Sequence, residues 1–178
     1  MSYATRILQA LSGLFRSSGG QRPASVPQGP SGRGDVPGRG GEGATVEVAP
    51  PPAGALRITY DPSLDGDPDA GEIVWTWVPY TENDGRGKDR PVLVIGRDGE
   101  DRVFAVRLTS RSHDGDRDFL SLGTGPWDTQ GRASWVDIEQ LYSVHRDGMR
   151  REASALDLDR FTRVAKALSD RYGWPVGR

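Results

Sequence analysis

Residues 87–111 read GKDRPVLVIGRDGEDRVFAVRLTSR. Two apolar runs, RPVLVIG and VFAVRLT, flank RDGEDR, and that turn chemistry predicts an antiparallel hairpin. The first run is continuously apolar, as in a strand buried on both faces. Pro91 is expected at its first residue, where a missing ladder donor is tolerated. In the second run Val103, Ala105, Arg107 and Thr109 share one face, and Phe104, Val106 and Leu108 the other. The second set is larger and uniformly apolar, so it is expected to face the core, with Thr109 pointing outward beside Arg107. The start of one hairpin strand lies opposite the end of its neighbour. Arg90 and Thr109 are therefore expected to meet at one edge of the sheet. The flanking loops bring Arg86, Lys88 and Arg111 to the same place, which makes a local phosphate-binding surface.

Further elements follow on either side. GEIVWTWVP (71–79) alternates, with Ile73, Trp75 and Trp77 on one face and Val74, Thr76 and Val78 on the other. YTENDGRGKD then breaks all periodicity and reads as a polar loop. Downstream, FLSLG suggests a short strand, and SWVDIEQLYSV (134–144) is rich in strand formers. Phe161, Val164, Ala165, Leu168 and Tyr172 follow helical spacing, Asp157 or Asp159 can cap the start, and Gly173 with Pro175 ends the helix. One amphipathic helix cannot build a core alone and must pack on the sheet. The expected architecture is mainly β: a small curled SH3-like β-barrel, residues 56–178, with a C-terminal helix packed on it.

The first third is different. Residues 1–17 place Ile7, Leu11, Leu14 and Phe15 at helical spacing, either a short amphipathic helix or a frayed terminus. From 18 to 55 the chain is rich in Pro, Gly, Ser and Ala, and such a stretch buries too little apolar surface to offset its ordering entropy. It is expected to be a disordered linker, with order beginning near Leu56.

The composition sets further limits. The chain has 178 residues, 24 glycines, 13 prolines and no cysteine, so disulfides, thiolate catalysis and Cys-ligated zinc are excluded. Two histidines make a His-rich metal centre improbable. No apolar run approaches the ~20 residues that span a bilayer, and the first residues lack a signal-peptide pattern; the expectation is a cytoplasmic protein. The net charge of −2 is uneven, because residues 1–55 carry five arginines against three acids and leave −4 for the remainder. An acidic domain can hold nucleic acid only through a local basic patch.

With these elements in place, the sequence resembles the PemK/MazF family of toxin endoribonucleases. The motifs are GEIVWTWVP, RPVLVIG, the LTSR strand end, SWVDIEQLYSV and the C-terminal helix, in that order, over residues 70–173. The resemblance implies metal-independent cleavage of single-stranded RNA, with the substrate's own 2′-hydroxyl as nucleophile and no cofactor. It also implies a homodimer, a cognate antitoxin as partner, and DNA contacts through the antitoxin complex. It places the catalytic site at Arg90 and Thr109. A guanidinium there would stabilise charge on the phosphorane and assist the leaving group, while Thr109 would orient a nonbridging oxygen. Ser110 is a possible substitute for Thr109. Arg86, Lys88, Arg107, Ser110 and Arg111 would bind RNA, and an unstacked base can sit on Tyr80.

Other readings exist for the same residues. Arg90 can simply pair with Asp84, Asp89 or Glu139, and Thr109 can cap a turn. Ser112, His113 and Asp114 name a hydrolase triad, but neighbouring residues point apart. Glu82, Asp84, Asp114 and Asp116 sit in separate loops and read as turn residues rather than a Mg²⁺ site. The competing functional class is a catalytically weak or inactive barrel-type interaction module, tethered by its N-terminal tail to a protein or membrane.

Overall fold

The hairpin predicted from residues 87–111 forms and sits at the middle of the sheet. The computed structural model describes residues 36–63, 65–82 and 84–177, with the backbone alone for 151–153. In chain order these contain β1 (Val46–Val48), β2 (Glu72–Pro79), β3 (Gly87–Arg97), β4 (Arg102–Thr109), β5 (Phe119–Gly123), β6 (Ser134–His145), β7 (Met149–Ala155) and α1 (Leu158–Tyr172). All strand pairs are antiparallel. The sheet runs β1-β6-β4-β3-β2-β7, and β5 also pairs with β6. This path is open: β1 and β7 are its two ends, and strand pairing does not close it into a barrel. Bulges in the β2–β7, β3–β4, β4–β6 and β5–β6 ladders bend the strands and curl the sheet.

The curl produces two apolar clusters, one on each face. Leu93 and Ile95 of β3 and Val106 and Leu108 of β4 pack with Phe161, Val164, Ala165 and Leu168 of α1. Each of the Val, Leu, Ile and Phe side chains contributes roughly 1.5–3 kcal/mol when fully buried. The helix is fixed by its ends: Asp157 caps the first turn by accepting from the Arg160 N–H, and Gly173 ends it at a φ of 71°. On the other face Val92, Val94, Val103 and Ala105 cluster with Val74, Val78, Tyr142, Val144 and Met149. The expectation that the Val103 face of β4 points outward is thereby corrected. Parity assigned the two faces properly, but a curled sheet also covers its concave side, and Val103 and Ala105 are buried there. Only the Arg107 and Thr109 end of that face stays partly open.

Two further expectations change. Pro91 lies inside β3 rather than at its start. It is tolerated because β3 pairs with β4 only from Val92 onward, leaving one side of Pro91 free of ladder bonds. The linker expected to run to residue 55 stops earlier. Val46–Val48 pair with Leu141–Ser143 of β6, and the buried Thr45 and Thr76 hydroxyls lie 2.7 Å apart. Arg102 donates to the carbonyls of Glu42 (3.0 Å) and Ala44 (2.5 Å), and the Trp174 indole N–H to that of Pro51. Composition fails here because this arm is held mainly by backbone and polar bonds, with Val48 alone of β1 packing against the apolar core. The remaining expectations for residues 1–35 lie outside the described residues. β7 had no sequence signal, since MRREASA shows no alternation.

Candidate active site

Continuing the β3–β4 register two residues past the Val92–Arg107 pair sets Arg90 opposite Thr109. Both line one cavity of about 90 Å³, with Lys88, Asp89, Pro91 and Ser110 from the same strand ends. The remaining wall is Trp75 of β2, Leu108 of β4, Ser134 at the start of β6, and Asp128 and Arg132 from the β5–β6 connection. Sequence reasoning missed this connection. Its signal is local: Trp127 is buried and donates its indole N–H to the Ser134 hydroxyl at 3.0 Å. Gly125 lies flat under the Trp127 ring, where a Cβ would collide. Arg132 and Asp128 form an ion pair at 2.8 Å, which holds the Asp128 carboxyl below its ordinary range.

Arg90 is half-buried, and among the described residues it makes no ion pair. Its buried Nε has no hydrogen-bond partner. The carboxylates that could have neutralised it are engaged elsewhere: Asp84 with Arg86 at 2.7 Å, Asp89 with Arg150, and Glu139 with Arg171 at 3.9 Å. Burial first, and then the neighbouring Arg107, push the Arg90 guanidinium below its ordinary value. The hydroxyls of Tyr80 and Tyr142 act in the opposite sense. An unpaired, partly desolvated cation is costly to the fold and is a signature of a binding or catalytic position. Thr109 accepts a hydrogen bond from the Arg111 N–H at 3.2 Å, a turn cap that leaves its own O–H free to donate.

The other sequence-predicted residues divide into two groups. Lys88, Ser110 and Arg111 are exposed beside the cavity, and among the described residues the two cations are unpaired. Arg86 lies in the adjacent loop but is neutralised by Asp84. Arg107 is part of the scaffold. Its guanidinium is held at 2.8 Å by Asp137, which is buried and also accepts from the N–H groups of Glu139 and Gln140. Tyr80 closes the β2–β3 loop through its N–H to the Arg86 carbonyl. His113 stacks on Phe119 with centroids 3.6 Å apart and does not enter the cavity lining. Among the described residues no acidic or histidine cluster could hold a metal ion.

A model of the family described as "PemK-like, MazF-like toxin of type II toxin-antitoxin system" matches residues 69–171. The chain belongs to this family. Its resemblance to the PemK/MazF toxins, read from short motifs, therefore holds over the body of the fold. Among solved structures the chain is similar to an endoribonuclease in complex with its cognate antitoxin from a mycobacterial species, at 17% identity, 60% of this chain, 95% of that chain and a TM-score of 0.45. It is also similar to the MazE–MazF complex of Deinococcus radiodurans, at 24% identity, 60% and 96% coverage and a TM-score of 0.42. MazF alone from that organism gives 26% identity, 60% and 97% coverage and a TM-score of 0.42. No curated protein matches the chain. The matched segment contains Arg90, Thr109 and the cavity; β1 and its arm lie outside it.

Proposed function

We propose that this toxin is an endoribonuclease that cleaves single-stranded RNA without a metal. The observation that carries the reading is Arg90, a half-buried cation with no ion pair among the described residues, facing Thr109 in one cavity. Such a guanidinium suits a dianionic phosphorane, because it offers several N–H donors in one plane. In the step envisaged, the 2′-hydroxyl of the substrate releases its proton to solvent as its oxygen forms a bond to the adjacent phosphorus, and the bond to the 5′-oxygen breaks as that oxygen gains a proton. The products are a 2′,3′-cyclic phosphate and a free 5′-hydroxyl. Arg90 neutralises charge on the phosphorane and supports the leaving oxygen. Its burial makes its proton easier to give up than that of a free guanidinium. Thr109 donates its O–H to a nonbridging oxygen, and Lys88, Ser110 and Arg111 hold the flanking phosphates.

The same reading supplies the partners. A cognate antitoxin would neutralise the toxin, and the half-buried Trp135 would support a homodimer, as large rings are common at interface centres. The protein would act in the cytoplasm, and the curled sheet would represent the SH3-like barrel of the family. Among the described residues no helix is long and apolar enough to cross a membrane.

The test is cleavage of single-stranded RNA in EDTA by the wild-type chain and by Arg90→Ala. Cleavage is expected to survive EDTA and to fall by about 10²–10³ in the variant. Equal cleavage by both proteins would sink the mechanism, and loss in EDTA would point to metal chemistry. Light scattering is expected to show a dimer at micromolar concentration.

A further inference from the structure

The arm preceding the family-matched body builds a second concavity. Its loop is closed by the Thr45 N–H donating to the Gly38 carbonyl at 2.8 Å. Gly38, at a φ of 82°, lies so close to Thr76 that a Cβ would come within 2.5 Å of its hydroxyl oxygen. Arg102 holds the loop's carbonyls from below. This fixed loop presents the exposed Arg39 over the Trp77 ring, 5.2 Å from its centroid. Trp77 in turn lies flat across β3, because residue 87 is glycine: a Cβ there would stand 2.6 Å from the indole Nε1. Arg39, Thr45 and Glu47 from the arm, and Trp77, Tyr80 and Arg86 from the body, line a groove of about 660 Å³.

We propose that this groove is a nucleotide subsite that receives a base of single-stranded RNA beside the scissile phosphate, with the Arg39–Trp77 stack as its platform. The inference rests on the ribonuclease reading and extends it to a part of the chain outside the family match. Three observations favour RNA. Arg39 has no ion pair among the described residues, and a guanidinium held over a ring, 5.2 Å from its centroid, leaves its outer side to a base. Glu47 supplies an acceptor for an amino group on that base. The groove also adjoins the candidate active site along the β2–β3 ladder: Trp77 of its lining pairs with Asp89, and Asp89 and Arg90 line the cavity that holds Thr109.

The experiment uses the full chain and two readouts. The first is steady-state cleavage of an unstructured RNA, with the sites mapped by sequencing. The second is anisotropy of a fluorescent, uncleavable 2′-O-methylated single-stranded RNA of mixed sequence. Arg39→Ala is expected to raise KM and weaken oligonucleotide binding by about 5–10-fold, the order of one stacking contact. Its kcat should stay within about twofold, and the base preference next to the cut should relax. Arg39→Lys should restore only part of the loss, because an ammonium cannot stack. Trp77→Ala, which removes the ring under Arg39, should reproduce the KM effect, and melting curves confirm that each variant is folded. Unchanged KM, binding and base preference in both Arg39 variants would overturn the inference. So would a weakened antitoxin complex with RNA binding unaffected, since the groove would then serve a protein. If the wild type binds the oligonucleotide through Arg39 but cleaves nothing, the subsite stands and the catalytic reading falls. If it cleaves through Arg90 with no role for Arg39, the reverse holds.

Discussion

The β3–β4 hairpin carries an arginine near each end, and the two are treated in opposite ways. At the turn end Arg102 is fully engaged: its guanidinium donates to the Ser143 hydroxyl and carbonyl and to the carbonyls of Glu42 and Ala44. The Ser143 hydroxyl in turn reaches Asp98 at 2.5 Å. At the open end Arg90 has no ion pair among the described residues and a buried Nε without an acceptor. The same side chain thus locks an arm to the sheet at one end and is left with unmet bonding capacity at the other. A buried donor without a partner destabilises a fold by about 1–3 kcal/mol, so a position that keeps one is a candidate for binding something absent from the free protein. Arg107, two residues short of the Thr109 end, shows the alternative. There Asp137 satisfies the cation, and the residue belongs to the scaffold.

The comparison can be broken most directly through activity and stability together. Arg90→Ala should lose cleavage by the 10²–10³ of a removed charge-stabilising donor, with a melting temperature unchanged or raised. A clearly lowered melting temperature would place Arg90 with the scaffold arginines. Thr109→Val should lose about 10–100-fold in kcat, less than Arg90→Ala because it removes one neutral hydrogen bond, whereas Thr109→Ser should stay near wild type. An unchanged kcat in Thr109→Val would show that the hydroxyl has no part in the reaction.

At the opposite end, Arg102→Ala should leave kcat almost unchanged and destabilise the fold by about 1.5–3 kcal/mol, the range for bonds to a charged group. Chemical denaturation measures this, and loss of kcat without loss of stability would merge the two ends into one site. Deleting residues 1–48 removes β1 and the Arg102 bonds to Glu42 and Ala44 together, and should lower the melting temperature. A truncated chain as stable as the full one would restore the linker reading for residues 36–48.

The effect confined to alkaline pH concerns Tyr142, which neighbours the scaffold Arg107 and Arg90. Burial pushes its hydroxyl from 10.0 up to about 12. Because the folded value lies above the unfolded one, the neutral phenol's contribution is present in full below pH 10 and is lost as pH rises from 10 towards 12. A displacement of that size corresponds to roughly 2–3 kcal/mol at most. Tyr142→Phe should flatten the stability profile over that range, at the expense of its bond to Gln140. A profile as steep as that of the wild type would assign the alkaline loss to another group.

Much of this site was legible before any coordinates, because it is made by elements with strong local codes. The Asp-Gly turn and the two apolar runs specified the hairpin, parity placed Arg90 and Thr109 on facing strand ends, and Asp157 and Gly173 bounded the helix as read. What the sequence could not supply is which charges find each other. Arg107 looked as free as Arg90 until Asp137, 30 residues away, was brought beside it, and the carboxylates proposed to pair Arg90 turned out to serve other arginines. β1 and β7 were missed for a related reason. Three residues of VEV and the polar run MRREASA carry no periodicity of their own, and they become strands only where β6 and β2 offer unpaired edges. Short-range patterns of polarity and turn chemistry act along the chain and can be read there. Partner choice among arginines and the capture of edge strands depend on distances set only when the sheet curls, and those the tertiary structure alone decided.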